Sequence, residues 1–331
     1  MGAVGGDTLG ALYLASLTGK VDTSRAVVHA GQATARCLVL VDEETGERTL
    51  RTCSAGCASL VPGDVSPGAL DHTSWVYLTG YALHTDGLVP TVLTLAGSQA
   101  GTQNCQVVFH LASAEVVAAF YPQLLVFFRT ELIGYVLCNE EEALEWLAAE
   151  RKALGMPPCE RSELLLEDAL QSLAAATSAC CVVTLGARGC ILRVGQDVIR
   201  AAAVRLTPDE IVDTCAAGDF FAAGFLSGLI NHLALEDCAR FGCLTGAAAL
   251  RCVGGESNTD VWLWANAQLP AVGLPPVHSG PSSQQDSCPA DFWGVPDDSQ
   301  PAVYQATPTA GDGGYSQPLA GRQQALASQP E

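Results

Sequence analysis

The stretch that decides the reading is Asp213-Thr214-Cys215-Ala216-Ala217-Gly218-Asp219-Phe220-Phe221-Ala222-Ala223-Gly224-Phe225-Leu226-Ser227-Gly228-Leu229. It opens on small and polar residues and continues as an apolar helix with small side chains at 222, 223, 224 and 228, which let a neighbour come close. A helix that starts on small residues leaves backbone N–H groups unclaimed, and these, with the helix dipole, suit an anion such as a transferring phosphoryl group. Asp219 would stand beside that anion. A carboxylate there repels phosphate, so it fits the base that accepts a proton from an attacking hydroxyl. The same chemistry fits equally well a buried helix that Asp213 or Asp219 simply caps.

Outward from this stretch, strand-like and helix-like segments alternate from residue 3 to about 268. Trp75-Val76-Tyr77-Leu78, Gln106-Val107-Val108-Phe109, Tyr135-Val136-Leu137-Cys138 and Cys181-Val182-Val183-Thr184-Leu185 are short apolar runs of the kind that form buried parallel strands. Helical stretches are expected around 85–96, 113–120, 140–150 and 162–177. Arg36 to Val41 and Arg48 to Thr52 flank Glu43-Glu44-Thr45-Gly46-Glu47, which reads as a hairpin over 36–52. The pattern predicts a doubly wound α/β domain with a small β appendage.

Composition sets the outer limits. The chain has 331 residues and is about half apolar, enough for a sizeable core, with 16 Lys and Arg against 35 Asp and Glu and a net charge of −19. Without a basic block, nucleic acid is not an expected partner, and the absence of a long uncharged apolar run argues against a membrane. A cytoplasmic protein is expected, or a plastid one if a transit peptide precedes this sequence. From Pro270 onward lie ten of the seventeen prolines and no Lys, so residues 269–331 read as a disordered tail; Phe292, Trp293, Tyr304 and Tyr315 are isolated within it. The fourteen cysteines form no C-x-x-C pair. Cys37, Cys105, Cys138, Cys190 and Cys252 lie among apolar neighbours and read as reduced, structural thiols rather than zinc ligands or a redox switch.

Asp213 to Asp219, with the Ala222–Leu229 helix behind it, resembles the D-T-x-G-A-G-D signature of the ribokinase-like (PfkB) carbohydrate and nucleoside kinases. Further landmarks follow in the family's order. Gly5-Gly6-Asp7-Thr8-Leu9-Gly10 resembles its G-x-D-x-x-G element, and Val21-Asp22-Thr23-Ser24 its G-V-D-T-S turn, with Lys20 in place of glycine. Leu78-Thr79-Gly80-Tyr81, Asn139-Glu140-Glu141-Glu142 (N-x-x-E) and Val182 to Cys190 (V-V-T-L-G-x-x-G) match in turn. Cys243 to Glu256 resembles the terminal helix and adenine-side loop, most closely in a plant and green-algal branch.

The resemblance implies a ribokinase-like, mostly parallel sheet flanked by helices over residues 1–268, with the 36–52 hairpin as a β lid that excludes water from the site. It implies ATP-dependent transfer of a γ-phosphoryl group to a sugar or nucleoside, with Asp219 as base and Ala216, Ala217 and Gly218 as the anion hole. Asn139 and Glu142 would organise Mg2+ through water and phosphate. Thr184, Gly186 and Gly189 would lie near the ATP phosphates and ribose, Gly254 and Gly255 beside the adenine, and Gly80 in the acceptor site. A monovalent cation is a further expectation of the family. Taken alone, Asn139 to Glu142 reads as a solvated acidic helix start and Thr184 to Gly189 as a bare turn.

Three departures stand out. Ala216 replaces the first glycine of G-A-G-D, at a position where positive φ would cost an alanine about 1 kcal/mol. His110 follows its strand where relatives carry aspartate, and no catalytic role is assigned to it. The sequence opens at the G-x-D-x-x-G element, so the family's preceding strand and G-G-x-x-x-N segment have no counterpart, and exposed sheet edges are expected. The competing reading is a non-catalytic scaffold of the same fold that acts through protein partners.

Overall fold

In the computed structural model, which describes residues 1–41, 48–54, 56–98, 105–157, 165–177, 179–255 and 258–274, the chain begins with a small βαβ unit. β1 (Gly2–Gly5) and β2 (Ala26–His29) lie parallel around α1 (Thr8–Leu17). Asp7 caps α1, accepting from Gly10 N at 2.9 Å, and also accepts from Thr34 N at 2.9 Å and Thr34 Oγ1 at 2.6 Å. These hydrogen bonds, those from Thr34 foremost, hold its carboxyl down at about 2 and tie the helix start to the approach of the hairpin. The hairpin pairs β3 (Arg36–Val41) with β4 (Arg48–Cys53) from Arg36–Cys53 to Val41–Arg48; its turn, 42–47, lies outside the described residues.

The main sheet holds β5 (Trp75–Thr79), β6 (Gln106–His110), β7 (Ile133–Asn139), β8 (Cys180–Thr184), β9 (Cys190–Val194) and β10 (Asp197–Ala201), in the order β10-β9-β8-β7-β6-β5. β5 to β8 are mutually parallel, and β9 and β10 turn back antiparallel. α2 (Leu88–Ser98), α3 (Ala114–Phe128), α4 (Glu140–Ala153) and α5 (Leu166–Ala176) share one core with Val107, Phe109, Val136 and Val183. α6 (Ala217–Ile230) and α7 (Leu235–Ala249) cover the opposite face, where Val108, Leu137, Val182 and Leu192 meet Phe221 and Phe225. This alternation explains the continuous apolar runs, since both faces of each strand are buried. α8 (Thr259–Gln268) packs on α7, and Leu269 and Leu274 are buried beside it. The fold is ribokinase-like, as the resemblance implied.

α3 runs eight residues past its expected end near 120, through Pro122. The proline suggests a break, but Leu124 and Phe128 beyond it are buried, with the Phe128 ring 5.7 Å from Phe109 and 5.2 Å from Trp146. Core burial outweighs the lost hydrogen bond. Cys138, Cys190 and Cys252 are buried as read, Cys105 is half-buried, and Cys37 is exposed. Cys37 departs from expectation because neither face of the hairpin is covered: Leu38 and Leu40 are open on one side, Val39 and Leu50 on the other. Among the described residues β1 bonds only β2 and β5 only β6, so each keeps one unpaired edge, and no helix is long and apolar enough to cross a membrane. Of the expected disordered tail, 269–331, residues 269–274 are described and depart from that expectation, since Leu269 and Leu274 bury against α7 and α8, and residues 275–331 lie outside the described residues.

The closest helix contact is α6 on α7. A Cβ on Gly224 would fall within contact distance of Thr245 Oγ1 and 2.9 Å from the Phe241 carbonyl oxygen. Thr245 Oγ1 in turn donates to the Phe220 carbonyl at 2.7 Å, joining the two backbones through one buried hydroxyl. Gly224→Ala is therefore expected to destabilise the fold by about 1–3 kcal/mol, read as a lowered midpoint in urea; an unchanged midpoint would show that the helices can part without cost.

Candidate active site

Register decides which side chains gather at the carboxyl ends of the strands, where open α/β sheets bind ligands. Tyr77 pairs with Val108, Thr79 with His110, Leu137 with Val182 and Asn139 with Thr184. Val108, Leu137 and Val182 belong to the core under α6, so Tyr77, His110, Asn139 and Thr184 occupy that same face. α6 runs opposite to the strands. Its Phe225 ring lies 6.2 Å from Tyr135, near the start of β7, while the charge of Asp219, two turns earlier, acts on Tyr77 and His110 at the strand ends.

The start of α6 bears on the capping alternative. Its N-cap is Ala216, with φ 60 and ψ 5, and no side chain caps the helix. Asp213 instead shapes the loop, accepting from Cys215 N at 2.9 Å and from Gly254 N at 2.9 Å. Among the described residues no side-chain acceptor is found for the N–H groups of Ala217 and Gly218, and Asp219 sits in the same turn. Ala216 is left-handed, the strained conformation anticipated for this position, and the site of a Cβ on Gly255 is 3.5 Å from its own Cβ. Gly254, with φ 77, follows in the loop that Asp213 ties to the helix start.

Asn139 and Glu142 form a reciprocal cap at the start of α4. Glu142 N donates to Asn139 Oδ1 at 2.8 Å, Asn139 N to Glu142 Oε2 at 3.1 Å, and Asn139 Nδ2 to Glu142 Oε1 at 2.9 Å. Glu142 is only 2% exposed, and burial pushes its carboxyl up to about 7 despite the hydrogen bond from Asn139. An acidic helix start on the surface would not behave so. Glu140, two residues earlier, pairs with Arg188. Arg188 belongs to the turn Gly186–Arg188 between β8 and β9, so this ion pair holds the turn against α4. Gly186 has φ 56 with open space around it, whereas Gly189, φ 88, is pressed on Ala201 O and would carry a Cβ 2.6 Å from Ala203 N. Thr184 Oγ1 donates to Cys138 O at 3.4 Å.

Gly80 begins the turn after β5 and is buried; a Cβ there would strike Leu111 O and come 2.8 Å from Val116 Cγ1. Its glycine is required by packing. Three groups that sequence reasoning did not assign also reach this edge: Tyr77, Tyr81 and His110. Period-two alternation along β5 and β6 carries the signal for the first and last, once it is known which face α6 covers.

The residues present suit a nucleotide with its cation. The uncapped first turn of α6 supplies N–H donors for phosphate, and Glu142 is a buried carboxyl whose ionisation an adjacent cation would favour. Among the described residues no group of three or more His, Cys, Asp or Glu is placed to hold a metal ion. A magnesium ion would be carried mainly by phosphate oxygens and water.

The pfkB family carbohydrate kinase model matches residues 1–262, and the chain belongs to that family. An adenosine kinase from Schizophyllum commune is 27% identical over 253 residues, 73% of this chain and 69% of that protein. The crystal structure of adenosine kinase from Sinorhizobium meliloti is similar over 82% of this chain and 76% of that one, with 24% identity and a TM-score of 0.65. That of fructokinase from Vibrio cholerae O395, with fructose, ADP and calcium bound, is similar over 80% and 84%, with 20% identity and a TM-score of 0.60.

Two measurements follow from this geometry. Ala216→Gly relieves the left-handed strain and should raise stability by up to about 1 kcal/mol, seen as a higher denaturation midpoint; a lower midpoint would mean that the loop gains from alanine. Unfolded, Glu142 titrates near 4.5 and, buried, near 7, so between these values the folded chain binds more protons and loses stability as pH rises. The fall amounts to about 3 kcal/mol across that window. Glu142→Gln should flatten the dependence over pH 4.5–7, and an unaltered slope would place its origin elsewhere.

Proposed function

We propose that this chain is an ATP-dependent phosphotransferase that moves the γ-phosphoryl group to a hydroxyl of a sugar or nucleoside. The observation that carries the reading is the first turn of α6, where unclaimed N–H groups and the Asp219 carboxylate share one edge with the Asn139–Glu142 pair. In this reading the acceptor hydroxyl gives its proton to Asp219. The acceptor oxygen bonds to the γ-phosphorus as the bond to the β-phosphate oxygen breaks, and ADP leaves. Mg-ATP supplies the phosphoryl group and screens its charge. Ala216, Ala217 and Gly218 direct backbone N–H groups at the oxygens that gain charge, while Glu142 and Asn139 orient the cation's water from behind.

Gly186 leaves backbone open to the nucleotide, and Gly254 and Gly255 form its far wall. Thr184 and Gly189 hold the strand and turn in place. The hairpin would close over the acceptor and keep water from competing for the phosphoryl group. Family membership and the kinases similar to this chain support phosphotransfer in general, and the lack of a membrane-crossing helix among the described residues is compatible with a cytoplasmic enzyme.

Asp219→Asn is expected to lower ADP production by 10²–10⁴-fold while leaving the ATP-induced rise in Tm in place. Retained turnover would remove Asp219 from the mechanism. A wild-type chain that binds ATP but phosphorylates no acceptor would favour the scaffold reading.

A further inference from the structure

The acceptor side of Asp219 is lined by ring faces. Tyr77 on β5 and His110 on β6 lie on the face that carries Asn139 and Thr184, and their rings stack with centroids 6.4 Å apart and planes inclined by 26°. Both sense Asp219. Burial, with the charge of Asp219 added, pushes the Tyr77 phenol up to about 12, and the same charge pulls against the burial that lowers His110. Trp75, two residues earlier on the same face, is spent on the core against Tyr135 at 5.9 Å. Tyr77 instead keeps 38% of its surface exposed.

Tyr81, in the turn that follows, is 57% exposed and donates its hydroxyl to Ala112 O at 3.3 Å, which fixes the ring at the rim. Its phenol is raised by burial first and then by the charges of Glu142 and Asp219, with Cys37 of the hairpin also within electrostatic range. Tyr81 thus lies within electrostatic range of both the proposed base and the hairpin.

A pocket for a free sugar needs several carboxylates or amides, because each hydroxyl taken from water must find a new partner. On this wall the described residues offer two stacked aromatic faces, the polar edges of the Tyr77 phenol and the His110 imidazole, and the Thr79 hydroxyl, while the Asn139 amide on the same face is already bonded to Glu142. Aromatic faces suit a flat heterocycle, and stacking one base is worth roughly ten- to a hundredfold in affinity. We propose that the stacked pair Tyr77–His110 is the specificity wall of the acceptor pocket and selects a nucleoside, with its planar base against the exposed ring of Tyr77 and its sugar hydroxyl at Asp219. The inference rests on the phosphotransfer reading for the last step and on the ring geometry for the binding.

The test uses the full chain saturated with Mg2+ and a non-hydrolysable ATP analogue, so that an added nucleoside cannot enter the nucleotide side. Adenosine, uridine, D-ribose and D-fructose are titrated calorimetrically, and ADP release with each is followed separately using ATP. A nucleoside should bind at least tenfold more tightly than either free sugar. Tyr77→Leu should weaken that binding ten- to a hundredfold with the affinity for the ATP analogue unchanged, and Tyr77→Phe, which keeps the ring, should restore it. His110→Asn should weaken nucleoside binding without affecting the analogue, and serves as the second probe if Tyr77→Leu does not fold. Tighter binding of a sugar, binding of no nucleoside, or an unchanged affinity in both Tyr77→Leu and His110→Asn would overturn the wall. ADP release with a sugar alone would overturn it while leaving phosphotransfer standing. Nucleoside binding without ADP release would do the reverse.

Discussion

The close approach of α6 to α7 positions the helix start that carries Asp219. Gly224 lets the two backbones meet, and the Thr245 hydroxyl locks them through the Phe220 carbonyl, one residue after Asp219. Gly242 repeats the device from α7, since a Cβ there would lie 2.9 Å from the Phe221 ring. With α6 held so tightly on its outer side, Phe221 and Phe225 fix its inner side against the sheet, and the first turn can only emerge at the carboxyl edge. The position of Asp219 thus follows from glycines a turn or more away from it.

In a chain of net charge −19, an anion site cannot rely on excess basic side chains. The nearest arginine of the edge, Arg188, is engaged with Glu140. In the proposed reading, attraction for phosphate falls to oriented backbone dipoles, which carry no counter-charge and need no desolvation of a cation. That solution demands a helix start kept free of side-chain caps, and Ala216 provides it at the cost of a left-handed backbone. Asp213, which has the chemistry of a cap, is turned instead toward Cys215 and Gly254.

Much of this was legible in the sequence for identifiable reasons. Strands β6 to β8 are buried on both faces, so they read as plain apolar runs, and the small residues of α6 announced a tight contact. Asn139-x-x-Glu142 was legible as a helix start, but the burial that raises Glu142 comes from α4 lying against the sheet and has no local signature. The run of α3 past 120 was not legible because the low helix propensity of Pro122 is local while the burial of Phe128 is not. Cys37 misled because alternation marks a strand without saying whether anything covers it. Tyr77 and His110 were hidden in two separate strands, and only register makes them neighbours.

Asp213 has a dynamic consequence. The amides of Cys215 and Gly254 are 39 positions apart in the chain, yet each donates to one oxygen of the same carboxylate. A fluctuation that swings Asp213 away strips the acceptor from both at once, so the loop before α6 and the loop after α7 open as a single cooperative unit. Whatever closes one of them also orders the other, so in the proposed reading the two walls of the nucleotide side are assembled in one event.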